Sequence, residues 1–138
     1  MNAIEWRCMH MKEQITTENA PAAIGPYSQA VTVGKFVFLS GQIPIDPASG
    51  LLAGETIEEQ AEQVLANIEA ILAEAGLDLA AVVKTTVYIT DLQEFGKLNA
   101  IYEAKFAPFG TFPSRSTVQV GALPKGAAIM VDVIAAKD

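Results

Sequence analysis

The chain has 138 residues, of which 51% are hydrophobic and 18% are charged. This composition predicts one folded domain and excludes a disordered tail protein, and no apolar run is long enough to span a membrane. The net charge of -7, from 9 basic and 16 acidic residues, argues against nucleic acid as a partner, because phosphate binding requires clustered Lys and Arg. We interpret the acidity as a solubility feature.

The only cysteine and the only histidine, Cys8 and His10, both lie near the N-terminus. An intramolecular disulfide is therefore impossible, and neither a Cys/His metal site nor a His-dependent catalytic triad is expected. We predict that the protein uses no metal and no other cofactor. The lack of disulfides is consistent with a reducing cytoplasmic location.

Residues 1–14 are predicted to be an N-terminal extension, followed by a single domain over residues 15–138. The first ten residues have neither the apolar segment nor the small-residue cleavage site of a signal peptide. They are expected to be poorly ordered unless Ile4 and Trp6 find a surface to cover.

The first patterned region predicts a hairpin and then a long helix. Residues 27–33 and 35–40 form two strands that Gly34 could join. Thr56 and Glu59 then have the spacing of a capping box, which predicts a helix start. Eight apolar residues recur at helical spacing and form one face: Ile57, Ala61, Val64, Leu65, Ile68, Ile71, Leu72 and Ala75. Gly76 is expected to end this helix.

The second half of the chain predicts three strands and one more helix. The strands are residues 81–90, 115–120 and 129–135, and in the first of them Val83, Thr85, Val87 and Ile89 are expected to share one face. Phe95, Leu98, Ile101, Tyr102 and Phe106 predict an amphipathic helix that ends before Pro108. This order of elements is typical of an α+β fold in which two helices pack on one face of a mixed sheet.

Arg115 is the candidate with the most specific chemistry, because a guanidinium can bind a carboxylate or phosphate through two parallel hydrogen bonds. Alternation along its strand assigns Ser116, Val118 and Val120 to one face, expected to be core, and Arg115, Thr117 and Gln119 to the other. In an acid-rich chain, however, a surface salt bridge is the commoner role for such an arginine.

Three other residues are weaker candidates on their own. Tyr27 offers a phenol, but a tyrosine at a strand start more often packs. Ser40 precedes Gly41, a pair that more often makes a turn. Asn99 is unusual inside a helix, although it could simply face water. Dinucleotide-binding and P-loop motifs are absent from the sequence.

Five segments of the chain together resemble the RidA/YjgF family of small enamine/imine deaminases, also called translation-inhibitor or L-PSP-type proteins. They are NAPAAIGPYSQ (19–29), LSGQIP (39–44), VKTTVY (83–88), LNAIY (98–102) and FPSRSTV (112–118). The resemblance extends over residues 15–136. It is specific because of the order and spacing of the segments, since each is modest alone.

The resemblance implies a chorismate-mutase-like α+β fold and a homotrimer whose sheets form a central barrel, with a cleft between each pair of neighbouring subunits. It implies hydrolysis of reactive 2-imino acids, such as those derived from 2-aminoacrylate, to 2-keto acids and ammonia. Arg115 matches the family's carboxylate-binding arginine. Tyr27, Ser40 and Asn99 match its pocket residues, and the amide of Thr117 could also bind the ligand. Arg115 and Tyr27 are thus the expected catalytic residues.

The chain departs from the family pattern at two positions. Thr117 stands where many members have Cys, but imine hydrolysis needs no protein nucleophile. Met130 stands where active members typically have a Glu thought to orient water, and a thioether cannot take a proton. Asp132, two residues along the strand and about 7 Å away, is not assumed to replace it. Gln119 could hold a water without acting as a base.

Two alternative functions follow from the same residues. The Arg115 cleft could capture a small 2-keto or amino acid in a non-catalytic regulator, with Met130 marking lost catalysis. A ribonuclease or translation inhibitor is disfavoured by the net charge of -7 and the lack of a histidine pair.

Overall fold

The computed structural model describes the backbone of residues 1–138 and every side chain except those of residues 8–10, so the side chains of Cys8 and His10 lie outside the described part. The elements are α1 (Ala3–His10), β1 (Glu13–Ile15), β2 (Ala30–Val33), β3 (Phe36–Gln42), α2 (Ile57–Glu74), β4 (Val82–Ile89), α3 (Phe95–Phe106), β5 (Ser114–Gln119) and β6 (Ile129–Ala136). The predicted α+β class is confirmed.

The six strands form one mixed sheet in the order β1-β2-β3-β6-β4-β5. Only β4 and β5 run parallel; the other neighbouring pairs are antiparallel. Helix α3 provides the crossover between the two parallel strands, as such a connection requires. β5 is therefore an edge strand, so Arg115 on this strand lies at the margin of the sheet and not at its centre.

Helix α2 begins and ends where its local sequence predicts. The Thr56 hydroxyl accepts a hydrogen bond from the Glu59 amide at 3.2 Å, whereas the Glu59 carboxylate accepts from the amide of Glu55, so only half of the capping box forms. Gly76 has φ 75°, and the amide of Leu77 donates to the Leu72 carbonyl at 2.8 Å. These contacts are those of a Schellman motif, in which glycine adopts the left-handed conformation without strain.

The core lies between the sheet and the two helices α2 and α3. Alternate residues of β6 are buried on the helix-covered face, and the other face of the sheet is open in the single chain. The largest fully buried side chains come from both layers: Ile68, Ile71, Leu72, Ile89, Leu98 and Ile129. The predicted packing of two helices on one face is confirmed.

The N-terminal segment contains a helix and a strand that the sequence reasoning missed. Ile4 and Trp6 lie in α1 and are 76% and 56% exposed. β1 then adds to the sheet edge, with Ile15 opposite Ala30 of β2. The domain boundary at residue 15 stays a prediction. None of the described helices combines the length and hydropathy that a membrane crossing requires.

The predicted face of β4 is correct for three residues and wrong for Val83. Thr85, Val87 and Ile89 are buried, but Val83 is 44% exposed and Val82 is buried instead. The pairing of β4 with β6 shifts register between Val82 and Lys84. Such a bulge inserts one residue and reverses the alternation before it, so a simple period of two fails there.

The predicted faces of β5 are reversed. Arg115 pairs with Thr85 and Thr117 pairs with Val87, so both lie on the helix-covered face of the sheet. Ser116 and Val118, expected in the core, lie on the open face, where Val118 is 42% exposed. Because β5 is at the edge, neither face is fully covered, and polarity along the strand does not indicate which face the helices cover.

Candidate active site

Arg115 is held in place by helix α3. Its Nη1 donates to Oδ1 of Asn99 at 2.8 Å. Its guanidinium carbon lies 4.7 Å from the ring centroid of Tyr102 and 5.2 Å from that of Phe95. Residues 95, 99 and 102 recur at helical spacing, so one side of α3 presents both rings and the amide to the arginine. Arg115 and Asn99, which the sequence predicted separately as site residues, are therefore in direct contact.

The ring beneath Arg115 is itself anchored. The hydroxyls of Tyr102 and Thr85 lie 2.8 Å apart and share a hydrogen bond, and both residues are buried. Burial raises the pKa of the Tyr102 phenol, while the Thr85 hydrogen bond and the Arg115 charge lower it in part. Tyr102 therefore stays neutral and presents an uncharged aromatic face to the guanidinium. Sequence reasoning assigned Phe95 and Tyr102 only to the core, because helical spacing of aromatics is the ordinary core pattern.

No carboxylate among the described side chains forms a salt bridge with Arg115. The surface salt-bridge role is thus not the one observed. Arginine has five N–H donors, and one of them is used by Asn99. The side chain is exposed and opens into a cleft of about 420 Å³ whose lining includes Phe112 and Pro113. A rigidly stacked guanidinium with free donors is suited to bind an anion.

A second cleft, of about 660 Å³, contains Tyr27 and Ser40. Tyr27 is 52% exposed, and its hydroxyl accepts a long hydrogen bond of 3.4 Å from the Ile24 amide. The Ser40 hydroxyl donates to the Ser28 carbonyl at 2.6 Å, so its oxygen can still accept a hydrogen bond. Gly41 and Met130 also line this cleft.

Gly41 and Met130 form a close pair in the second cleft. A methyl group on the Gly41 Cα would lie 2.7 Å from Sδ of Met130, closer than such atoms approach. Glycine at position 41 therefore makes room for the thioether. The sequence offered no signal for this contact, because the two residues are far apart in the chain and meet only through the pairing of β3 with β6.

The two residues considered as substitutes for a carboxylate at position 130 are both engaged elsewhere. Asp132 accepts a hydrogen bond from the Tyr88 hydroxyl at 3.2 Å, and its charge, with burial, raises the pKa of that phenol. The side-chain oxygen of Gln119 accepts from the Leu92 amide at 2.9 Å and fixes the loop before α3. Each of these side chains thus has a hydrogen-bonding role in the fold apart from Met130.

The predicted site residues therefore fall into two groups that are separated within one chain. Arg115 and Thr117 lie on the helix-covered face of the edge strand β5. Ser40 and Met130 alternate with the buried Leu39 and Val131, so they lie on the open face. β3 and β5 are three strand positions apart, which is about 14 Å across the sheet. A small molecule cannot contact both groups in the same chain.

No cluster of three or more His, Cys, Asp or Glu among the described residues is arranged to hold a metal ion. The predicted site residues of the two clefts offer a guanidinium, an amide and two hydroxyls, and the charged residues Glu103, Asp46 and Lys125 also line the clefts. These groups bind and orient through hydrogen bonds and charge, and none of them supplies a nucleophile activated by a neighbouring base.

Known proteins resemble this chain over most of its length. A family model described as Endoribonuclease L-PSP matches residues 17–137. A 2-iminobutanoate/2-iminopropanoate deaminase from Salmonella typhimurium is 50% identical over 128 residues, which is 92% of this chain and 99% of that protein.

Solved structures agree with the sequence match. A Rid-family protein from Yersinia pestis superposes with a TM-score of 0.87 at 50% identity, covering 91% of this chain and 98% of that one. The TdcF protein of Escherichia coli with bound serine gives 0.87 at 42% identity, covering 91% and 99%. With both sequence and fold in agreement, the chain belongs to the RidA/YjgF family of L-PSP-type proteins.

Proposed function

We propose that this protein is a 2-iminobutanoate/2-iminopropanoate-type deaminase that hydrolyses reactive 2-imino acids to 2-keto acids and ammonia. The observation that carries the proposal is the environment of Arg115. Its guanidinium stacks on the Tyr102 ring, is oriented by Asn99 and forms no salt bridge with a described carboxylate. The name of the Salmonella relative supports the same reaction. The TdcF structure contains bound serine, an amino acid with a carboxylate. We propose that Arg115 binds the corresponding carboxylate of a 2-imino acid in this protein.

The reaction requires positioning more than proton transfer. Arg115 binds the substrate carboxylate and fixes the adjacent C=N carbon. Water adds to that carbon, and the resulting carbinolamine expels ammonia, so the C=N bond is replaced by C=O with no change in oxidation state. The Tyr27 and Ser40 hydroxyls, with the Thr117 amide, orient the imine and the water. Met130 takes no proton, and the iminium carbon is electrophilic enough to react with an oriented water.

A complete site requires a second copy of the chain. Arg115 and Tyr27 belong to clefts on opposite faces of one sheet, so the two groups meet only if the Arg115 face of one subunit adjoins the Tyr27 cleft of another. We assign the homotrimer of the family, with chorismate-mutase-like packing and one site at each subunit interface. The open sheet face fits this arrangement, because it leaves Phe36, Phe38 and Val118 between 38% and 47% exposed.

A competition assay tests the activity. An amino acid oxidase generates the imine, semicarbazide traps what remains, and the purified protein competes with the trap. Wild type should lower trapping, and Arg115→Ala should not. If wild type is inert while Met130→Glu is active, the native protein is instead a regulator that binds a 2-keto or amino acid. If wild type, Arg115→Ala and Met130→Glu are all inactive on several imines, the deaminase proposal is wrong.

Mixed oligomers test the shared site. Arg115→Ala and Tyr27→Ala each remove one half, so each homotrimer should lose most activity. When the two variants are unfolded and refolded together, about a quarter of the interfaces combine an intact Arg115 with an intact Tyr27. Activity should return to about that fraction of wild type. No recovery, with trimers formed, would place each site within a single chain.

Nucleic acid is not a proposed partner. The chain carries 9 basic and 16 acidic residues, and the Arg115 cleft also contains Glu103. A polyanion requires several clustered cations, and this cleft offers one guanidinium. We place the protein in the cytoplasm, where enzymes that use pyridoxal phosphate release 2-imino acids.

A further inference from the structure

The Tyr27 cleft has an apolar interior. Its lining includes Pro21, Ile24, Ile43, Pro47 and Met130. This cleft is larger than the one at Arg115, about 660 Å³ against 420 Å³. Pockets of this size and character bind small molecules mainly through apolar contacts, with a few polar groups fixing orientation.

The polar side chains of this cleft are mostly engaged with the backbone. The Gln29 amide bonds the backbone of Thr17 at 2.7 and 3.0 Å and the Pro21 carbonyl at 2.8 Å. The Gln42 amide donates to the Ser40 carbonyl at 3.2 Å. Because these groups have partners, they contribute structure to the walls and leave the thioether and aliphatic atoms as the available contact surface.

Two charged residues also line the cleft, and neither makes it an ion site. One carboxylate oxygen of Asp46 accepts the Ala48 amide at 2.8 Å. Lys125 is exposed, on a turn where its backbone has φ 57°. Because their charges are opposite, they do not make the cleft selective for a ligand with either an anionic or a cationic side chain.

We infer that Met130, placed over Gly41, selects 2-imino acids whose side chains are apolar and longer than a methyl group. The inference rests on the proposed function. If Arg115 of one subunit binds the carboxylate, the opposite end of the substrate faces the neighbour's Tyr27 cleft. The thioether there is flexible and polarisable, so it can pack against aliphatic chains of different shapes.

Kinetics with three imines test this selection. The imines derived from leucine, alanine and glutamate have apolar, small and acidic side chains. Wild type should prefer the leucine imine over each of the others by roughly tenfold in kcat/KM, the scale on which a hydrophobic pocket discriminates. Met130→Gln, of similar length but polar, should reduce this ratio several-fold. Met130→Leu should keep it, since it preserves an apolar surface of similar volume.

A binding measurement separates this inference from the proposed function. Calorimetry with the product-like acids 4-methyl-2-oxopentanoate and 2-oxopropanoate measures the ratio of binding affinities for the leucine and alanine side chains without turnover. If wild type hydrolyses no imine, the proposed function fails, and the affinity ratio still decides the inference. Equal rates and affinities for apolar and small side chains, a preference for the acidic one, or an unchanged ratio in Met130→Gln would overturn it. Thermal melts confirm that each variant is folded.

Discussion

Asn99 on α3 and Arg115 on β5 share a hydrogen bond of 2.8 Å between Oδ1 and Nη1. The amide oxygen orients the guanidinium but leaves its charge uncompensated, unlike a carboxylate at the same position. An asparagine inside a helix is modestly unfavourable for helix formation, so its presence here is explained by this contact.

Asn99→Ala should raise KM for imines by roughly tenfold to a hundredfold, because hydrogen bonds to charged groups contribute about 1.5–3 kcal/mol. Asn99→Asp should raise KM further, since its carboxylate competes with the substrate for Arg115. Both are measured in the semicarbazide competition assay. Lys97→Ala is the control on the same helix, because its exposed ion pair with Glu94 contributes little. An unchanged KM in Asn99→Ala would remove Asn99 from the site.

The Thr85–Tyr102 hydrogen bond supports the ring beneath Arg115. Tyr102→Phe leaves the buried Thr85 hydroxyl without its partner, and the expected loss of unfolding free energy is about 1–3 kcal/mol. Thr85→Val alone should cost a similar amount. The double variant should cost less than the sum of the two, which urea melts of all four proteins measure. Full additivity would show that the two hydroxyls do not interact.

Tyr102 should also make stability depend on alkaline pH. Its folded pKa is raised above the ordinary 10.0, mainly by burial. Below pH 10 the phenol is protonated in both states, so its contribution to stability is complete. As pH rises from 10 through the folded pKa, the unfolded chain loses the proton first, and stability falls.

Urea melts across this pH range should show a shallower decline in Tyr102→Phe than in wild type. Absorbance of tyrosinate provides the second readout, because the variant should lack one of the late-titrating phenols. Parallel declines in both proteins would mean that another group controls alkaline stability.

Gln29, which directly precedes β2, connects that strand to residues 17–21, and Pro21 of this segment lines the Tyr27 cleft. Gln29 is 2% exposed, and its side-chain amide forms hydrogen bonds with the backbone at Thr17, Ala20 and Pro21. Gln29→Leu leaves these groups unpaired and should cost roughly 2–4 kcal/mol of unfolding free energy. Gln93→Leu, at an exposed position, should change it by less than about 0.5 kcal/mol. Equal effects would contradict the role given to Gln29.

Phe38 tests the assembly through the open face of the sheet. It is 38% exposed in the single chain, and its ring lies 6.2 Å from that of Phe36. Phe38→Asp should leave the single-chain fold intact but place a charge in the proposed subunit interface, so sedimentation should show monomers. Activity should fall with the loss of the trimer, because Arg115 then has no facing Tyr27 cleft. A trimeric, active Phe38→Asp would contradict the proposed interface.

The sequence alone determined the elements whose signals are local. Helix α2 was predicted because Thr56, the apolar face and Gly76 each act on residues within about one helical turn of themselves, and each behaves as expected. The family segments likewise predicted both Arg115 and Asn99 as site residues. Their contact follows from the fold that the segments identify.

Only the tertiary structure decided which faces are buried and how the site residues are grouped. The bulge at Val82 and Lys84 exposes Val83, and the register of β5 against β4 places Arg115, rather than Val118, on the helix-covered face. Strand alternation fixes which residues share a face but not which face packs, because that choice depends on partners distant in sequence. For the same reason the closeness of Met130 to Gly41, and the separation of Arg115 from Tyr27, could be read only from the folded chain.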